Sequence, residues 1–83
     1  MMAREYSLNE IARHCYVHDL WIIFDNKVYD MTAYLDSHPG GKAMLRQAGK
    51  DATIAMKLIQ MHNIAWRTIE KKLQDHQIGI VER

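Results

Sequence analysis

Residues 27–41 read KVYDMTAYLDSHPGG, and they decide the fold. Their first four residues follow the β-branched and aromatic run WIIF at 21–24, with a two-residue turn between the runs at 25–26. Two strand-like runs around a two-residue turn predict a β-hairpin. After the hairpin, Thr32 can cap a helical turn, which the His-Pro-Gly-Gly sequence at 38–41 ends. The stretch therefore leads from a hairpin through a turn of helix into a glycine-rich break.

Short helices are predicted on both sides of this stretch. Ser7 and Glu10 have the spacing of a capping box, which starts a helix that ends at about His14. Three more helices are predicted after the break. The first covers 42–48 and stops at Gly49, and Asp51 caps the second, which carries Ile54, Leu58 and Met61 on one stripe. The third covers about 64–74, with Trp66, Ile69 and Leu73 on its apolar face, and a strand over 78–81 follows. The expected fold class is α+β, a small mixed sheet with several short helices.

The composition indicates one small domain with an undersized core. A chain of 83 residues suits one domain and buries only roughly 60% of its unfolded surface, so a cofactor, metal or cross-link is expected to add stability. Cys15 is the only cysteine, which excludes an internal disulfide and favours a reducing, cytoplasmic compartment. The net charge of +1 lacks the basic excess of a nucleic-acid binder. The longest apolar run covers 20–24, far short of the roughly 20 residues of a membrane span, so a soluble domain is expected.

Two of the five histidines lie in breaks between predicted helices. His38 precedes one helix and His62 lies between the next two, so both side chains could project into a space between helices. Pro39 and the two glycines that follow it would allow a planar cofactor to approach the main chain. Two imidazoles on opposite sides of such a cofactor would give a six-coordinate iron porphyrin.

Other interpretations of the histidines stay open on spacing alone. A loop histidine is more often solvated or part of a helix cap, and His-Pro-Gly-Gly can serve simply as a turn before a helix. His14 and His18 are four residues apart and could share a zinc ion if one helix contained both, although no third ligand is evident nearby. Covalent haem attachment is excluded, because the sequence has no Cys-x-x-Cys-His motif.

Read in order, four segments of the chain resemble the haem-binding domain of the cytochrome b5 family. They are WIIF at 21–24, KVYDMT at 27–32, HPGG at 38–41 and AGKDAT at 48–53. The resemblance extends over about 6–81 and implies one domain over 1–83. It implies a cytochrome b5-like α+β fold, in which short helices form two pairs around a pocket for non-covalent haem b (iron protoporphyrin IX).

The resemblance also implies a ligand set and a pocket. His38 corresponds to one axial ligand of the family, and His62 falls where the second axial histidine is expected. The carbonyl of Gly41 is the family-based acceptor for the second ring nitrogen of His38. The pocket is expected to be lined by Phe24, Met31, Tyr34, Pro39, Met44 and Leu45, and by Leu58, Met61, Ile69 and Leu73 of the second helix pair. Trp21 and Tyr29 correspond instead to the structural core.

Two departures from the family pattern bear on this site. The predicted axial histidines remain 24 residues apart because a shortened interval before Asp51 is offset by a lengthened one after it. Around the haem edge, Asp36 matches an acidic position of the family, but Ser37, Lys42 and Ala43 stand where acids are frequent. Docking is therefore expected to depend less on acidic side chains and to suit a less basic partner.

The implied function is electron transfer, so the chain is expected to be an electron carrier and not an enzyme. The expected partners are a flavin-containing reductase as electron donor and a redox enzyme as acceptor. No nucleic-acid partner and no membrane span are expected in this chain, and a monomer is expected. The alternative function is a haem-binding interaction or sensor module that carries no electrons, and a zinc-binding structural domain is the third.

Overall fold

A mixed five-stranded sheet forms one layer of the computed structural model, which describes residues 4–37, 42–62 and 66–82. The strands are β1 Glu5–Tyr6, β2 Cys15–Tyr16, β3 Asp19–Phe24, β4 Lys27–Asp30 and β5 Gln77–Val81. Their order in the sheet is β1-β5-β4-β3-β2. The β1–β5 pair is parallel and the other three pairs are antiparallel. With the helices, this sheet confirms the predicted α+β class.

The predicted hairpin is the β3–β4 pair. Its register places Trp21 opposite Asp30 and Phe24 opposite Lys27, so the connection contains only Asp25 and Asn26. Both turn residues have positive φ, 48° and 71°, as a type I′ turn requires. The two-residue strands β1 and β2 were not predicted, because two residues are too few to show an alternating pattern.

The described residues also form five helices. They are α1 Leu8–Arg13, α2 Thr32–Ser37, α3 Lys42–Leu45, α4 Thr53–His62 and α5 Trp66–His76. The predicted cap of α1 is confirmed, since the Ser7 side chain accepts a hydrogen bond of 3.0 Å from the Glu10 amide. In the described part of the chain, no helix is long and apolar enough to cross a membrane.

The boundaries of α2 and α3 differ from the prediction. Thr32 was expected to cap α2, but it is the first helical residue, and its N–H and hydroxyl both donate to Asp30 Oδ1. An Asx-type cap by the preceding carboxylate therefore replaces the threonine cap. Helix α3 ends at Leu45, three residues before the predicted end, and a turn leads to Gly49. Gly49 has φ +71°, a left-handed conformation typical of glycine after a helix.

Alternate residues of β3 belong to two apolar clusters, which lie on opposite faces of the sheet. Ile23 joins Ile11 of α1, Val28 and Val81 in the smaller cluster. Leu20, Ile22 and Phe24 point to the other face and belong to the larger cluster, together with residues of β4 and of the chain after it. Helices α2, α4 and α5 therefore pack on one face of the sheet and α1 on the other.

Candidate functional site

The larger apolar cluster contains most of the described residues that were predicted to line the haem pocket. Phe24, Met31 and Leu73 are buried in it. The half-buried side chains of Tyr34, Met44, Leu45 and Ile69 pack against it. These residues come from β3, from α2 and the residue before it, and from α3 and α5. The structure therefore brings together seven predicted positions that are far apart in sequence.

The surroundings of this cluster disfavour charge. Among the described residues, Tyr29 is the only buried one that can ionise. Desolvation by burial, with the charges of Asp25 and Glu70, raises the pKa of Tyr29, and desolvation also raises that of Tyr34. Both phenols therefore stay neutral over the physiological range. The cluster offers an apolar wall of the kind that most cofactor sites present.

Helix α4 differs from the rest of the predicted pocket because its apolar stripe faces outward. Leu58 is 54% exposed and Met61 is 74% exposed, and Ile54, on the same stripe, is 79% exposed. Met56 is the residue of α4 that is buried in the larger cluster. The structure therefore does not bring Leu58 and Met61 into the cluster. It leaves an apolar helical face uncovered beside the residues predicted to hold a cofactor.

The structure describes only one of the two histidines that were predicted to bind the haem iron. His62 is the last residue of α4 and is exposed. His38, Pro39 and Gly41 lie outside the described residues, between the end of α2 and the start of α3. The structure therefore gives a position for one of the two predicted ligands, at the end of the helix that carries the uncovered stripe.

Trp66 belongs to this site and was not among the predicted pocket residues. Its ring meets the edge of Phe24 at 5.9 Å between ring centroids and 80° between planes. Its Nε1 donates to Glu70 Oε2 at 3.2 Å. A cavity of about 340 Å³ adjoins this pair, with Tyr29 and Leu73 in its wall. The sequence did contain the signal, since Trp66 was expected on the apolar face of α5 together with Ile69 and Leu73.

The zinc alternative is not supported by the surroundings of His14. Helix α1 ends at Arg13, so His14 and His18 are not on one helical turn. Instead, Asp19 Oδ1 lies 2.7 Å from the Nδ1 atom of His14, and Glu10 Oε2 lies 3.1 Å from its Nε2 atom. The described residues contain no group of three or more His, Cys, Asp or Glu side chains that could hold a metal ion.

His14 joins α1 to the start of β3 through these contacts. Its ring stacks on Trp21 with 3.6 Å between centroids and 8° between planes. Desolvation lowers the pKa of His14, but the hydrogen bonds and charges of Asp19 and Glu10 outweigh it, so the pKa lies above 6.5. The imidazolium is thus more stable in the folded chain than in the unfolded one.

The contribution of His14 to stability is expected to be complete below pH 6.5 and to disappear as the pH rises through the raised pKa. The free energy of unfolding of the haem-free chain should therefore fall as the pH rises above 6.5. His14→Gln should flatten this dependence in urea unfolding, because glutamine cannot take up the proton. The exposed His18 provides the matched control, His18→Gln. An unchanged slope in His14→Gln would contradict the assignment.

Comparison with known proteins identifies the family to which this chain belongs. The model of the cytochrome b5-like heme/steroid binding domain matches residues 7–82. The chain belongs to the cytochrome b5 family. A cytochrome b5 of Rhizopus stolonifer is 40% identical over 74 residues, which are 88% of this chain and 56% of that protein. The chain spans about half, or less, of the length of the curated relatives that it matches.

Solved structures of cytochrome b5 proteins have the same fold. Cytochrome b5 of Ostreococcus tauri virus 2 superimposes with a TM-score of 0.76 at 38% identity, over 93% of this chain and 95% of that one. Cytochrome b558 of Ectothiorhodospira vacuolata, described as a prokaryotic homologue of cytochrome b5, superimposes with a TM-score of 0.84 at 29% identity, over 95% and 99%. The structural matches therefore agree with the match to the cytochrome b5-like heme/steroid binding domain over residues 7–82.

The described residues fit a haem in this family setting. A flat, largely apolar macrocycle requires an apolar wall on each side, and the larger cluster and the uncovered stripe of α4 supply such surfaces. His62 stands at the end of that stripe, and its imidazole is a ligand that haem iron accepts. The fit therefore rests on the placement of Leu58, Met61 and His62 along one helix.

Proposed function

We propose that the chain binds one non-covalent haem b through His38 and His62 and carries single electrons. The observation that carries this proposal is the uncovered stripe of α4, Ile54, Leu58 and Met61, with His62 at its end. Exposed apolar side chains in such a row indicate a surface that a ligand or partner covers. Within the cytochrome b5 family, a haem is the ligand that matches both the stripe and the histidine.

Each element of the site would have a distinct task. His38 and His62 would be the ligands of the iron, and the carbonyl of Gly41 would orient the His38 ring by accepting from its second nitrogen. The larger cluster and Leu58 would exclude water from the macrocycle. Haem supplies the chemistry, the reversible reduction of Fe(III) to Fe(II) by one electron. Apolar surroundings and ligand basicity act in opposite directions on the reduction potential.

A carrier follows from this ligand set better than an enzyme does. With two histidine ligands, the iron would keep no site for oxygen or a substrate. The chain's own residues would then bind, orient and shield the group while electrons pass at its edge. We therefore propose a carrier that folds as one domain over 1–83 and acts as a monomer.

We propose a flavin-containing reductase as donor and a redox enzyme as acceptor, in a reducing, cytoplasmic setting. Free, exposed Cys15 suits such a compartment. The charges along 42–72 favour a partner that is less basic than the partners of family members with an acidic docking surface. In this range the basic residues are Lys42, Arg46, Lys50, Lys57, Arg67, Lys71 and Lys72, and the acidic residues are Asp51 and Glu70.

Titration of the purified chain with haemin tests the proposal. We expect saturation at one equivalent and a low-spin spectrum, because two imidazoles give the iron a strong ligand field. A high-spin spectrum at saturation, or continued binding beyond one equivalent, would contradict the two-histidine site. Reduction by a flavin reductase, followed by transfer to an acceptor, then separates the carrier from a haem-binding sensor module, which would bind haem without onward transfer.

A further inference from the structure

Helix α4 is held to the rest of the fold mainly at its first turn. Met56 is its buried residue, whereas every residue from Lys57 to His62 is exposed. The half of the helix that ends in the predicted ligand therefore has little packing to fix its direction. What fixes the direction must lie near Thr53, where the helix begins.

Thr53 lies at the centre of a hydrogen-bond network that joins α4 to the β3–β4 turn. Its hydroxyl accepts a hydrogen bond of 3.0 Å from the amide of Asp25 and donates to Asp51 Oδ1. The same carboxylate oxygen accepts the Thr53 amide at 2.9 Å. One turn along the helix, Lys57 Nζ lies 3.3 Å from Asp25 Oδ1. Two successive turns of α4 thus contact the same turn residue.

The backbone on either side of this network is also tied to β3. The Ala52 amide donates to the Ile23 carbonyl at 2.7 Å, and the Ile23 amide donates to the Lys50 carbonyl at 3.0 Å. These bonds place the start of α4 beside the end of β3. They do not reach the helical turns beyond Thr53. There the burial of Met56 and the contacts of Thr53 and Lys57 with Asp25 orient the helix.

We infer that Thr53 and Lys57, through Asp25, are positioning residues that aim α4 and so set the place of His62. The inference rests on the proposed haem ligation by that histidine. With 1.5 Å of rise per residue, His62 lies about 14 Å along the helix from Thr53. A tilt of about 10° at the first turn would therefore move the ligand by roughly 2 Å, enough to strain or lengthen a metal bond.

Thr53→Val tests the inference, because it keeps the shape of the side chain and removes both hydroxyl hydrogen bonds. Amide exchange over 54–62 in the haem-free chain should become roughly 3- to 10-fold faster, with the hairpin amides unchanged. In the haem-loaded chain, haem loss to excess apomyoglobin should quicken by a similar factor. A fraction of the haem iron should become high-spin in the absorption spectrum. Thr53→Ser, which restores the hydroxyl, should reverse all three effects.

Thr68→Val is the matched control, since Thr68 is an exposed threonine of α5. Lys57→Met is a second variant that keeps the aliphatic stem, removes the contact with Asp25, and should quicken exchange over 54–62 in the same direction. The inference is overturned if exchange over 54–62 is unchanged in both variants, if serine fails to rescue, or if Thr68→Val has an equal effect. Wild-type chain that binds no haem would refute the proposed function, whereas the exchange measurement would still decide whether Thr53 and Lys57 orient the helix.

Discussion

Replacing His62 with alanine is expected to change the spectrum of the haem-loaded chain from low-spin to high-spin. The iron would keep His38 and lose the second imidazole, which leaves a weaker ligand field. Outer-shell partners of metal ligands already contribute about 10- to 100-fold to affinity, so loss of the ligand itself should quicken haem loss by at least about tenfold. Absorption and electron paramagnetic resonance spectra, with haem transfer to apomyoglobin, measure both effects.

Two neighbouring side chains make this experiment discriminating. Met61 precedes His62 and is 74% exposed, and the ring of His76 lies 6.4 Å from that of Tyr34 between centroids. If the His62→Ala spectrum stays low-spin, one of these two residues is the ligand and the assignment is wrong. His18→Ala is the control, because His18 is exposed in the turn before β3 and should leave both the spectrum and haem retention unchanged.

The central elements of the fold could be predicted from the sequence because their determinants are local. The strand-like runs at 21–24 and 27–30, the turn pair Asp25-Asn26 and the Ser7 cap each act over a few residues. Helix ends were harder to predict. Thr32 begins α2 instead of capping it because the Asp30 carboxylate accepts both its donors. Asp and Thr are both good capping residues, so sequence could not decide between them.

The sequence predicted which residues belong to the site better than it predicted how those residues are arranged in space. Helical spacing identified the stripe of α4 correctly, but periodicity does not say what covers a stripe. Leu58 and Met61 lie on the predicted stripe and are exposed, whereas Met31 and Leu73 are buried. The orientation of a helix depends on contacts between distant residues, such as Asp25 with Lys57, which one sequence does not reveal.

Haem binding is expected to raise the melting temperature. It is also expected to protect residues 39–73 more than the hairpin residues 21–29. A ligand at a thousand times its Kd stabilises the folded state by about 4 kcal/mol. For a domain of this size, that corresponds to a rise of roughly 15–30 °C. Differential scanning calorimetry at several haemin concentrations measures the rise. His62→Ala, with its weaker binding, should show a smaller shift at the same haemin concentration.

The unequal ordering follows from the burial on each side of the sheet. In the hairpin, Ile22 and Val28 are 0% exposed and Ile23 is 2% exposed, so these strands have a core without any cofactor. The stretch from 39 to 73 includes α4, whose second half is exposed, and it would receive its missing apolar contacts from the macrocycle. Without haem, amides of the described residues in this stretch should therefore exchange faster than those of 21–29, and haem should protect them most.

Hydrogen exchange with and without haemin tests this division, and the structure makes the expected pattern specific. Protection should increase most over 57–62 and less over 50–52, where backbone hydrogen bonds to Ile23 already tie the chain to the sheet. Equal protection of 21–29 and 39–73 in the haem-free chain would contradict the division. It would mean that 83 residues supply a sufficient core for both halves. The exposed stripe Ile54, Leu58 and Met61 argues against that outcome, because a self-sufficient core would have buried such a row.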